Sequence, residues 1–205
     1  EVSVDFVRLK KGLHDLNSLL VYHELGHLIS EFGPELFATQ VYPQMLNNFD
    51  LTLWPKHPWP EMGHQLLLDL LTDRLKQFLL HAKPAKHQKV IIVLGYRSGM
   101  ISKRIIQALL LANILSAHGL RIIFTSSVQN LENIVDIAKQ HSKSLVITSS
   151  SIDGFYQNLL LNTLGESGQK NIMAYAPKWP DKNSHCLPED LAKVFAVVKK
   201  AMEEL

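Results

Sequence analysis

Five consecutive residues in the N-terminal part of the chain, His23-Glu24-Leu25-Gly26-His27, match the zinc-binding pattern H-E-x-x-H. Residues four apart on a helix share a face, so His23 and His27 could hold one zinc ion together. Glu24 would then act as the general base that activates a bound water. The pattern makes a zinc hydrolase one candidate function of this chain.

The third protein ligand that a catalytic zinc requires has only a weak candidate in the sequence. In the longer pattern H-E-x-x-H-x-x-G-x-x-H, Ser30 stands at the position of the Gly and Gly33 at the position of the last His. Glu61 is a candidate ligand from a following helix, and no strand pattern precedes the motif to build a protease sheet. The alternative interpretation is a pair of surface histidines on a helix.

A tryptophan–proline loop over residues 54–60 carries a second set of candidate ligand-binding side chains. Its three prolines exclude a regular helix or strand, so we expect an ordered loop anchored by Trp54 and Trp59. His57 lies inside this loop and His64 follows it. These two histidines are either cofactor contacts or ordinary surface residues.

A glycine-flanked turn over residues 95–99 is a third candidate site, and it contains Tyr96, Arg97, Ser98 and Gly99. Backbone amides at the start of a helix attract anions, and Arg97 could assist them. The turn is neither a dinucleotide fingerprint nor a phosphate-binding P-loop. A plain connection between strand and helix is the alternative.

Helical spacing dominates the first half of the chain. Apolar residues recur at this spacing over 4–29, Gly33-Pro34 should end that helix, and a further helix spans 61–80. The helix that begins at Pro34 should bury Leu36, Phe37, Val41 and Leu46. We predict a helical bundle (cap) over residues 1–82 and a proline-interrupted linker before a second domain, residues 88–205.

Short β-branched runs alternate with helices in the second domain. We predict strands at 90–94, 121–124, 144–148 and 171–175, and helices at 102–118, 130–140, 154–164 and 188–204. This alternation indicates an α/β fold with a flavodoxin-like, doubly wound parallel sheet. Ligands of such sheets lie beyond the carboxyl ends of the strands, which adds Ser149 and Ser150 to the candidate site.

Composition narrows the class of protein. The 205 residues carry a formal charge of +2 and a single cysteine, Cys186. A lone cysteine fits a reducing cytoplasm, and the absence of a Lys/Arg run argues against direct DNA binding. No apolar stretch is long enough for a membrane span. The chain opens at Glu1, and we expect it to be a fragment of a longer protein.

The tryptophan loop, the helix led by His64 and the order of the two domains resemble the cobalamin-binding sensor module of MerR-type light-responsive transcriptional regulators. They are also similar to the corrinoid modules of methyltransferases. The resemblance implies a helical cap and a flavodoxin-like domain with a corrin ring between them. In the light sensors, a Trp followed nine residues later by Glu-His covers the upper face of the ring. Here nine residues separate Trp54 from His64-Gln65, so the Glu-His order is lost.

The second domain departs further from that family. The family takes its lower cobalt ligand from Asp-x-His-x-x-Gly after the first strand, whereas residues 95–102 contain neither Asp nor His. The family's Gly-Gly after the fourth strand is Tyr175-Ala176 here, and its Ser-x-Leu has a counterpart in Ser150-Ser151-Ile152. We therefore do not expect cobalamin bound through a lower histidine, nor a carrier for methyl transfer.

These observations together predict a non-enzymatic ligand-sensing or protein-interaction domain of a cytoplasmic transcriptional regulator. DNA would be contacted through a separate segment outside this chain, and a protein partner or self-association is expected. The ligand would be cobalamin, haem or another tetrapyrrole, or none. The predicted binding residues are Trp54, His57, Trp59, His64, Tyr96, Arg97, Ser98, Gly99, Ser149 and Ser150. The zinc hydrolase with His23 and His27 is the enzymatic alternative.

Overall fold

The computed structural model describes residues 2–49, 59–82, 90–94, 102–125, 136, 140, 145–149, 172–175, 185–186 and 190–204. The chain divides into two compact units, Glu1–His81 and Ala82–Leu205. The first unit is helical and the second contains a parallel sheet with helices.

The helical unit contains four α-helices and one π-helical segment. They are α1 (Val7–His14), α2 (Ser18–Leu36), the π-helical segment (Phe37–Val41), α3 (Tyr42–Asn48) and α4 (Pro60–Leu80). Both α1 and α4 pack against α2. The core is formed by fully buried apolar side chains at helical spacing, among them Leu9, Leu13, Leu25, Ile29, Leu67, Leu71 and Leu75.

The apolar run predicted as one helix over residues 4–29 forms two helices, α1 and α2. The chain turns between them at Leu16, whose φ of 48° is left-handed. Asn17 then caps α2, since its side chain accepts a hydrogen bond from the backbone N–H of Leu20 at 3.0 Å. An Asn at this position is a strong helix-start signal, which the apolar spacing alone did not reveal.

The predicted helix end at Gly33-Pro34 is confirmed. Gly33 has non-helical angles, φ 74° and ψ 165°, so α2 contains two helical stretches joined by a kink, and the second begins at Pro34. The π-helical segment follows within a few residues. Phe37 and Val41 are buried as predicted, but the assignment of Leu36 to the inner face is wrong because it is 41% exposed. Met45 is buried, whereas Leu46 is only half-buried.

The α/β unit contains five parallel strands in the order β2-β1-β3-β4-β5. They are β1 (Val90–Leu94), β2 (Arg121–Thr125), β3 (Leu145–Ser149), β4 (Ile172–Tyr175) and β5 (His185–Cys186). This is the strand order of flavodoxin-like sheets. The two-residue strand β5 was not predicted, because so short a segment has no detectable alternation.

Two helices of the α/β unit lie within the described residues, α5 (Ser102–Ala117) and α6 (Leu191–Glu203). Gly119, with φ 80°, follows α5, as the predicted helix end requires. The His118 ring stacks on the Phe195 ring of α6 with centroids 3.6 Å apart, which joins the two helices. The helices predicted at 130–140 and 154–164 lie outside the described residues, apart from positions 136 and 140, which are helical.

Candidate functional site

The strand order reverses between β1 and β3, so the switch point of the sheet lies at the carboxyl ends of these two strands. Strand β1 pairs with β2 on one side and with β3 on the other. Leu94, the last residue of β1, pairs with Thr148, and the next residue of β3, Ser149, pairs with Tyr175 of β4. Ligands of open α/β sheets bind beyond the strand ends at such a switch point. Ser149, predicted to lie just beyond the strand, is the last residue of β3.

Most of the residues predicted around this edge and in the tryptophan loop lie outside the described residues. They are Trp54, His57, Tyr96, Arg97, Ser98, Gly99 and Ser150. Of the predicted cofactor-binding set, Trp59 and His64 are described with their side chains, and Ser149 with its backbone.

His64 lies in the second turn of α4, where its ring is held by a backbone carbonyl. Its Nδ1 lies 3.2 Å from the carbonyl oxygen of Phe49, the residue that ends α3. A carbonyl oxygen only accepts, so Nδ1 carries the proton, and in the neutral ring Nε2 has the free lone pair. Histidines that ligate metals commonly have this arrangement, with one ring nitrogen donating to a carbonyl and the other binding the ion. This hydrogen bond therefore leaves Nε2 as the ring nitrogen that could bind an ion.

Trp59 precedes α4 and accepts a backbone hydrogen bond from Gly63 at 2.9 Å. Its side chain is 57% exposed, and that of Met62, three residues later, is 58% exposed. Two large apolar side chains are thus exposed about one helical turn apart at the start of α4.

The H-E-x-x-H pattern lies on α2, as its spacing predicts. His23 and His27 are both exposed, whereas Glu24 is buried. The Nε of Arg8, on α1, lies 3.4 Å from Oε2 of Glu24. The proposed general base therefore forms an ion pair between two helices and does not share the solvent-facing surface of the histidines.

Gly26, inside the same pattern, has a packing role. An ideal Cβ at this position would lie 2.6 Å from Cζ of Arg74, a residue of α4. The Nε of Arg74 donates to the carbonyl oxygen of Tyr22 at 2.9 Å, and its guanidinium lies 3.9 Å from the centroid of the Tyr22 ring. The absence of a side chain at Gly26 thus leaves room for the Arg74 side chain of α4 to pack against α2.

The described ranges contain no group of three or more His, Cys, Asp or Glu side chains placed to hold a metal ion. Glu61, the candidate third zinc ligand, is an exposed residue of the first turn of α4. The roles of Glu24 and Gly26 in helix packing give the motif a structural explanation that does not involve catalysis.

Within the described part of the chain, no helix combines the length and apolar character needed for a membrane span.

No family model and no curated protein sequence matches this chain. Among solved structures, it is similar to the monomethylamine corrinoid protein of Methanosarcina barkeri, with a TM-score of 0.57 and 18% identity over 98% of each chain. It is also similar to a cobalamin-binding protein from Desulfitobacterium hafniense, with a TM-score of 0.44, 13% identity, and coverage of 97% of this chain and 99% of that one. The first similarity extends over both units and establishes the fold: a helical unit followed by a Rossmann-like α/β unit.

Proposed function

We propose that this chain is a corrinoid-binding sensor module that holds cobalamin without a histidine below the cobalt. The observation that carries the proposal is the similarity of fold, over 98% of both chains, to a protein described as a corrinoid protein. The sequence resemblance to cobalamin-dependent light sensors, made on the tryptophan loop and His64, supports the same ligand. When bound, cobalamin would supply a coloured cobalt centre that exchanges its axial ligands.

His64 supports the proposal through its protonation state. With Nδ1 donating to Phe49, the remaining lone pair lies on Nε2, which suits a cobalt or iron ion. Trp59 and Met62, both exposed at the start of α4, would supply apolar contacts to a bound ring. His64 would be the protein ligand to the metal.

The carboxyl edge of the sheet would supply a further set of contacts. Residues 88–117 contain no histidine at all, so the segment after β1 offers no imidazole ligand. Ser149, the last residue of β3, would be one contact from this edge. Tyr96, Arg97 and Ser150 are the other proposed contacts from this edge.

Haem is the second candidate ligand, because the same observation on His64 favours it. A single histidine with its Nδ1 bonded to a backbone carbonyl is a suitable axial ligand for haem iron. Titrations with haemin and with cobalamins in parallel separate the two ligands.

We further propose that the module serves a transcriptional regulator. Its DNA contact would come from a separate segment, and ligand binding would change self-association or the affinity for a protein partner. The resemblance to MerR-type regulators supports this role. The lack of a basic run in a chain with a formal charge of only +2 is the reason for placing the DNA contact in a separate segment.

A ligand-exchange titration with matched histidine variants tests the assignment of His64. Hydroxocobalamin is added to wild type, His64→Ala and His81→Ala, and the visible spectrum is followed. His81 is the control because its Nδ1 also bonds a backbone carbonyl, that of Gln77, at 2.7 Å at the other end of α4. We expect the band shift in wild type and His81→Ala and its loss in His64→Ala. An equal shift in all three proteins would remove His64 from the site.

A further inference from the structure

We propose that His23 and His27 form a two-histidine clamp on the exposed face of α2 that binds one divalent transition-metal ion, Cu²⁺ most tightly. The clamp binds the ion without hydrolytic chemistry. It uses none of the residues assigned to the corrinoid site, so each proposal can be tested without the other.

Helical spacing puts the two histidines at neighbouring positions on one face of α2. Both histidines are exposed, and residues four apart on a helix have neighbouring side chains. The opposite face of the same stretch is anchored, since Leu25 and Ile29 are almost fully buried in the core. A rigid backbone therefore holds two imidazoles within reach of one ion, which lowers the entropy lost on binding.

A carboxylate stands beside one of the two histidines. Oε2 of Glu31 lies 3.3 Å from Nδ1 of His27, one helical turn away. The negative charge of Glu31 would attract a cation to the pair.

The chemistry of the site determines which ions it takes. Glu24 is withdrawn into the ion pair with Arg8, and the described residues contain no group of three or more His, Cys, Asp or Glu side chains placed to hold an ion. Two imidazoles with water in the remaining positions suit first-row transition metals in the order Cu²⁺ over Ni²⁺ and Zn²⁺. Mg²⁺ and Ca²⁺ prefer oxygen ligands and would not bind.

Isothermal titration of the untagged full chain with CuSO₄ and with NiCl₂ tests the clamp, in wild type and in His23→Gln, His27→Gln and the double variant. We expect one site per chain to lose affinity by about tenfold or more in each single variant and to disappear in the double variant. Glu31→Gln removes a negative charge beside the pair and should weaken binding at the same site.

Two control variants and a fold check make the result decisive. His14→Gln removes another exposed histidine, one whose ring is bonded to the carboxylate of Asp15 at 3.0 Å. The positions four residues before and after His14 are Lys10 and Ser18, so His14 has no second histidine at clamp spacing. Glu24→Gln removes the buried carboxylate. Both should keep wild-type affinity, and circular dichroism of each variant should show unchanged helix content. A double variant that binds Cu²⁺ with wild-type stoichiometry and affinity would overturn the proposal, as would an equal loss in His14→Gln.

Discussion

Nε of Arg8 lies 3.4 Å from Oε2 of Glu24, so the acidic residue of the H-E-x-x-H pattern links α2 to α1. The Glu24 side chain is only 11% exposed, whereas that of Arg8 is 70% exposed. Glu24, which the motif alone would predict to be a general base, therefore contributes to the packing of two helices.

This pair should contribute modestly to stability, because solvent screens its arginine end. We expect Arg8→Ala to lower the free energy of unfolding by about 1 kcal/mol or less. Urea denaturation followed by circular dichroism measures the change, and Lys193→Ala, which removes a surface pair with Asp190, is the control. A loss of several kcal/mol would contradict the expectation that solvent screens this pair.

Gly26 should tolerate alanine only when Arg74 is absent. In wild type the new methyl group would collide with the guanidinium, and we expect Gly26→Ala to cost about 1–2 kcal/mol of unfolding free energy. In an Arg74→Ala background the same substitution should stabilise by about 0.5–1 kcal/mol through helix propensity. A double-mutant cycle in urea measures both values. Stabilisation by the same amount in both backgrounds would show that the collision is absent.

Gly33 should resist substitution for a different reason, namely its backbone conformation. No atom lies within 4 Å of an ideal Cβ at this position, but φ 74° with ψ 165° is accessible essentially only to glycine. We expect Gly33→Ala to cost about 1–3 kcal/mol, seen as a lower thermal midpoint. Ser30→Ala, an exposed change on the same helix, should leave the midpoint nearly unchanged. A Gly33→Ala protein as stable as wild type would mean that the kink relaxes.

Asn17 should stabilise the start of α2 through its side chain. Because its oxygen accepts from the backbone N–H of Leu20, Asn17→Ala should lower the free energy of unfolding by about 1 kcal/mol. Asn17→Asp keeps the acceptor and should cost far less. Chemical denaturation of the three proteins compares them, and equal stability of the alanine and aspartate variants would argue against capping.

The architecture follows from patterns that the chain displays locally. The change from helical spacing to β-branched runs after residue 90 predicts the sheet, and the run 90–94 forms β1 with the bounds expected of it. Gly119 predicts the end of α5 because only a residue tolerant of positive φ suits that position.

The parts that the sequence does not predict depend on contacts between distant residues. The space at Gly26 is filled by Arg74, 48 positions away along the chain, and nothing near Gly26 signals this. The burial of Met45 in place of Leu46, by contrast, follows the ordinary spacing of Phe37, Val41 and Met45 on one helix face, so this signal was present in the sequence. For the candidate site, residue types indicated His64 and Ser149, but the protonation of His64 depends on the position of Phe49 in the folded unit.

The central claim, that this chain binds a corrinoid, is tested most directly by its visible spectrum. Untagged protein is titrated with hydroxocobalamin, adenosylcobalamin and haemin, each against a matched buffer control. We predict a shifted spectrum with a cobalamin that saturates at one ligand per chain. Spectra that remain those of the free ligands for both cobalamins would contradict the claim, and saturation by haemin alone would assign the site to haem.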